Sequence, residues 1–176
     1  MKKTLILLLS IIIFSCKKEE RGFHDYLRSL DTLVLPQKFS LNSRMNPSKN
    51  HDSILFKKYK HRWTHAPYGI AFNNERIVGI IEYSIADNGL APFLITFDNN
   101  GNKIDSLNIL GNSSFGMKGQ TLESAILDTN LKLVVIDSSK SWQIDINENK
   151  IANTTELKVS KTTYKILKNG KIKKMK

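Results

Sequence analysis

The chain predicts a mainly β protein, a single antiparallel meander curled into a barrel or sandwich and preceded by one short N-terminal helix. Three observations carry that expectation. Beyond Pro36 the sequence is a series of short runs of Val, Ile, Leu, Phe, Tyr and Thr separated by Asn, Asp, Gly and Ser, the composition of strands joined by tight turns. Two separators, Asn99-Asn100-Gly101 and Asn169-Gly170, supply residues that tolerate the positive φ of a hairpin turn. No stretch of helical periodicity divides the runs, which argues against parallel crossovers.

The helix is expected between Gly22 and Leu33, where Phe23, Tyr26, Leu27, Leu30 and Leu33 recur at three- and four-residue steps and so share one face. Strands are expected at Thr32 to Leu41, Ser53 to Lys60, Tyr68 to Phe72, Ile77 to Ile85, Ala91 to Phe97 and Lys103 to Leu110. They continue at Thr121 to Leu127, Lys132 to Asp137, Ser141 to Ile146, Lys158 to Leu167 and Lys171 to Met175. Asn73-Asn74, Asp128-Thr129-Asn130 and Ser138-Ser139-Lys140 are weaker turns of the same kind, so sequence neighbours are expected to pair. No repeat of fixed period is present.

The segment before the helix is of another kind. Lys2 and Lys3 precede an apolar run from Leu5 to Phe14 that ends in Phe14-Ser15-Cys16, and that cysteine is the only one in the chain. A basic start, a short apolar stretch and small residues at its end describe an export signal, too short to span a bilayer. Ile13-Phe14-Ser15-Cys16 resembles a bacterial lipobox. The resemblance implies removal of residues 1–15, a diacylglyceryl thioether on Cys16 and acylation of its amine. Residues 16–22 then form a charged tether, and residues 23–176 a single β-rich domain. Lys17-Lys18-Glu19-Glu20-Arg21 is similar to the Lys-then-acidic segments behind the lipidated cysteine in surface lipoproteins of Bacteroidota. That likeness implies an outer-membrane location, facing the periplasm or outward. A lone cysteine leaves no internal disulfide, so the domain depends on its core.

The formal charge is +11, and loss of Lys2 and Lys3 with the leader lowers it by two. A field of this sign favours anionic lipid, lipopolysaccharide, acidic glycan or nucleic acid nonspecifically. The densest constellation is Lys57-Lys58-Tyr59-Lys60-His61-Arg62-Trp63-Thr64-His65. Lys58, Lys60, His61, Arg62, Trp63 and His65 interleave charge with an aromatic face, as binding of an anionic polymer or glycan requires. The two histidines lack a nearby carboxylate, and Arg62 stands where the glutamate of a zinc-protease HExxH motif belongs, so no metal is expected. The loop from Gly111 to Gly119 places Lys118 among backbone amides that suit an anion, without the Gly-Lys-Ser/Thr ending of a phosphate loop. Asp98 to Asp105 has the start of a calcium loop, but Lys103 replaces the glycine and Ile109 the closing carboxylate.

No Gly-x-Ser-x-Gly elbow is present, and a lipidated Cys16 is no nucleophile. Glu82 and Glu123 lie inside strand-like runs, where a facing pair would serve as acid and base on a polysaccharide. The C-terminal lysines, from Lys158 to Lys176, suit protection of a sheet edge. The expectation is a lipid-anchored envelope protein without a cofactor, a binding or accessory module for an envelope protein or anionic glycan, with nucleic acid not expected as a partner. The competing readings are a lipid-anchored hydrolase, built on Glu82, Glu123 or His61 and His65, and an inhibitor or immunity-like protein.

Overall fold

The computed structural model describes residues 22–41, 46–86 and 89–175; the leader, Cys16 and the tether up to Arg21 lie outside them. The described residues are mainly β and form two antiparallel sheets and two helices. In chain order the elements are α1 (Phe23–Arg28), β1 (Gln37–Ser40), α2 (Ser53–Tyr59), β2 (Ala66–Asn73), β3 (Ile77–Ala86) and β4 (Gly89–Asp98). There follow β5 (Lys103–Asn108), β6 (Ser114–Gly116), β7 (Gly119–Leu127), β8 (Lys132–Ser141), β9 (Glu156–Ile166) and β10 (Ile172–Lys174).

The expected single meander is divided. β2-β3-β4-β5 form one meander sheet, and β7-β8-β9-β10 form a second, with β1 added beside β7 and β6 also paired to it. Neither sheet closes on itself. The division falls after β5, where Ile109 and Leu110 are buried in the core instead of extending the strand.

Residue alternation along β3 shows how the layers stack, because successive side chains leave opposite faces of a strand. Ile77, Ile81 and Tyr83 join Phe39, Leu127, Leu133 and Val135 in a cluster filled from both sheets. Val78 and Ile80, from the other face, pack with Phe23, Tyr26 and Leu27 of α1 and with Leu55 and Phe56 of α2. The four-stranded sheet is therefore covered on both sides, which is why the first seven residues of β3 are all buried. Gly79 leaves room for the Phe72 ring, which lies 2.2 Å from where a Cβ would be. The sheets are joined at one corner, where the buried Thr96 hydroxyl donates to the Gly170 carbonyl (2.7 Å) and the Ile172 amide donates to Asp105 Oδ2 (3.0 Å).

Several expected elements are corrected. The segment Ser53 to Lys60 is a helix, not a strand: Asp52 Oδ1 accepts from the Ile54 and Leu55 amides at 2.9 and 3.1 Å, and this N-cap turns Leu55 and Phe56 onto the sheet. The N-terminal helix stops at Arg28, since the Ser29 hydroxyl bonds back to the Tyr26 carbonyl. Thr32 to Leu41 is a strand only from Gln37, the preceding chain running beside β2 through a parallel bridge from Thr32 to Ile70. Ser141 to Ile146 is no separate strand; β8 runs through Ser141, and Ile144 makes one bridge to Lys150. The glycine-bearing loop contains β6, paired with β7.

Candidate functional site

The basic aromatic segment is the end of α2 and the turn into β2, and a buried carboxylate holds it. Glu82 leaves β3 on the helix side, is fully buried, and accepts from the His61 amide at 2.9 Å and bonds the Thr64 hydroxyl. The same hydroxyl lies 2.8 Å from the His61 carbonyl. One hydroxyl proton cannot serve two acceptors. A protonated Glu82 resolves the conflict by donating to Thr64, which then donates to His61. Burial pushes the Glu82 carboxyl up to about 7, against hydrogen bonds from Thr64 and His61 and the charges of Lys103 and Lys60. Its other oxygen, Oε1, is buried without a donor, as is the Tyr26 hydroxyl.

Above this pin the turn is closed by the Thr64 amide to the His61 carbonyl (3.0 Å) and by Lys60 Nζ to the Thr64 carbonyl (2.7 Å). The His61 ring stacks on Phe93 with centroids 5.2 Å apart, and burial, Lys103 and Arg62 lower its pKa. Trp63 stands 57% exposed with the Arg62 guanidinium 4.6 Å from its ring centroid. Lys58 lies over the Tyr59 ring at 5.5 Å. His65 has turned into the sheet, its amide bonded to the Tyr83 carbonyl and its Nδ1 3.4 Å from Ser84 Oγ.

Of the residues the sequence grouped, Lys58, Lys60, His61, Arg62 and Trp63 therefore share one helix end and turn. Lys118 does not join them. It sits in the β6–β7 turn of the other sheet, where its carbonyl and that of Met117 accept from the Trp142 amide (3.0 Å) and indole (2.7 Å). Among the described residues, no three of His, Cys, Asp or Glu come together as metal ligands.

Glu82 and Glu123 do not face each other. Glu123 leaves β7 towards the layer between the sheets, and its carboxylate takes the Asn112 amide (2.6 Å), Asn112 Nδ2 (3.2 Å) and the Ser113 amide (3.1 Å). It therefore pins the Gly111–Ser113 turn as Glu82 pins His61–Thr64. Glu123 does have an acidic neighbour that the sequence reading missed, Asp137, opposite it in the β7–β8 register. Burial raises the Glu123 pKa and the neighbouring Asp137 carboxyl raises it further, against hydrogen bonds from the Asn112 and Ser113 amides. Asp137 Oδ1 is buried without a hydrogen-bond partner. Both acids line a pocket of about 220 Å³ together with Asn108, Asn112, Thr162 and Tyr164.

No helix among the described residues is long and apolar enough to cross a membrane. No family model, curated protein or solved structure matches the chain.

Proposed function

We propose that the chain is a lipid-anchored protein of the bacterial outer membrane whose two sheets form a sandwich body, and that this body is a non-catalytic module binding an anionic glycan at the Arg62–Trp63 turn. The observation that carries the reading is the exposed Trp63 ring with Arg62 stacked on it, on a turn fixed from beneath by Glu82. An aromatic face that is already ordered stacks on a sugar ring with little loss of side-chain entropy, and cations beside it select acidic sugars. Lys60 and Lys103 add positive charge around the same turn, Lys103 Nζ reaching the Lys60 carbonyl at 3.3 Å.

The buried acids support binding over hydrolysis. Glu82 and Glu123 are each committed to backbone amides of a turn and lie on opposite faces of the four-stranded sheet. The test is affinity recovery of the tagged full-length protein from its own envelope, with the eluate analysed for carbohydrate. Wild type should carry an acidic glycan, and Trp63→Ala and Arg62→Ala should each lower its yield about tenfold, since loss of a stacking contact costs on the order of 1–3 kcal/mol. Equal glycan from wild type and Trp63→Ala would remove this site from the account.

A further inference from the structure

The pairing register assigns every residue of the six-stranded sheet's long ladder to one face. Phe39, Ala125, Leu127, Leu133, Val135 and Ile166 point into the core, so their neighbours in the strands point outward. Six of these outward positions are apolar: Leu122, Ile126, Val134, Ile136, Leu157 and Val159. Six are lysine: Lys38, Lys132, Lys140, Lys161, Lys165 and Lys173. The rest are Ser, Thr and Gln, and no outward position of β1 or of β7 to β10 carries a carboxylate. Leu157 and Val159 are each 60% exposed. Leu41 and Phe115 border a groove of about 460 Å³ over Leu122 and Ile136, whose lining also includes the inward-facing, buried Glu123.

We propose that this face docks an acidic partner protein, one that offers apolar side chains to the Leu122–Ile136 region and carboxylates to the lysines around it. Charge complementarity selects the partner's sign. It also disfavours a second copy of this chain, because two such faces would oppose twelve lysines with no acid at any outward strand position. The bilayer is disfavoured by reach. Gly22, at the start of α1, is the sixth residue after Cys16, a reach of about 20 Å when fully extended. The helix layer and the outer face of the six-stranded sheet lie on opposite sides of the four-stranded sheet, with layers about 10 Å apart. A chain held at Cys16 therefore keeps α1 near the membrane and turns the lysine face away. This exclusion of the bilayer rests on the proposed anchor.

The experiment places a photo-cross-linking residue at Ile136 of the full-length chain in its own cells, with Ile54 of α2, 66% exposed on the opposite side, as the control. The expected result is an adduct from Ile136 with one protein, whose cross-linked peptide carries net negative charge. Its yield should fall at least about tenfold in Lys140→Glu/Lys161→Glu, a pair of exposed positions whose melting temperature should not move. An adduct with a second copy, with lipid or with glycan overturns the proposal, as does the same adduct from Ile54, a yield indifferent to charge, or no adduct. Palmitate labelling of the same cells reads the anchor separately. An unlabelled chain that still gives the acidic adduct refutes the anchor alone, and a labelled chain without it refutes the docking alone.

Discussion

Glu82 concentrates the chemistry of the candidate site in one proton. Its carboxyl titrates near 4.5 when unfolded and at about 7 in the fold. Between those values the folded chain keeps a proton that the unfolded chain has released. The resulting stability is complete below pH 4.5 and is lost as pH rises through 7, a change of about 3 kcal/mol at 1.36 kcal/mol per unit. His61 has the opposite sign, since its folded pKa lies below 6.5 and stability from it grows as pH climbs through that range. Glu82→Gln isolates the first effect, because the amide does not titrate while its oxygen can still accept from the His61 amide. Melting temperatures measured from pH 5 to pH 8 should show wild type falling relative to Glu82→Gln as pH rises; parallel curves would mean that Glu82 is ionised throughout. Glu82 was legible as a strand carboxylate, but the sequence could not show what it bonds, because His61 and Thr64 lie about twenty residues away.

At the scale of elements, one hairpin turn recurs. In the turns opened by Asp98, Asp128 and Asp145, the Oδ1 atom accepts from the amides two and four residues on, at 2.8 to 2.9 Å in all six bonds. The turn from Leu167 to Lys171 has the same backbone closure. Its fourth residue has positive φ, Gly101 and Gly170 in two turns but Leu131 (57°) and Glu148 (65°) in the others. The Asn-Gly turns were readable because glycine announces that conformation. The Asp145 turn was not, and so Ser141 to Ile146 read as a strand. A left-handed residue with a Cβ costs about 1 kcal/mol, so the same substitution should act in opposite directions at the two sites. Glu148→Gly, at an exposed position, should raise the stability by up to that amount, seen as a higher denaturation midpoint at constant slope. Leu131→Gly should lower it, because Leu131 packs on the core. A drop in both would show that the turn tolerates its side chains without strain. The strand reading of Ser53 to Lys60 failed for a related reason: seven residues give too few turns for a helical period to show, and Asp52 was the one available signal.

Across the whole molecule, antiparallel β texture was plain in the sequence, whereas the split into two sheets was not. Alternation specifies which residues of a strand share a face, but not which other sheet that face meets. β3 illustrates the gap, since burial on both faces removes the alternation that would have marked one side as core. The same limit hid the lysine and apolar face of the six-stranded sheet, whose outward residues can be collected only once the register is known. The resulting picture is of three layers, with the helix layer and its Trp63 turn on one side and the lysine face on the other. Its central claim is that the molecule binds envelope glycan and leaves it intact. The most direct test is size-exclusion chromatography of an acidic envelope polysaccharide fraction after incubation with saturating protein. The account predicts carbohydrate that elutes with the protein at unchanged chain length and leaves it with Trp63→Ala. Carbohydrate that is shortened, without eluting with the protein, would contradict it and assign the fold to hydrolysis.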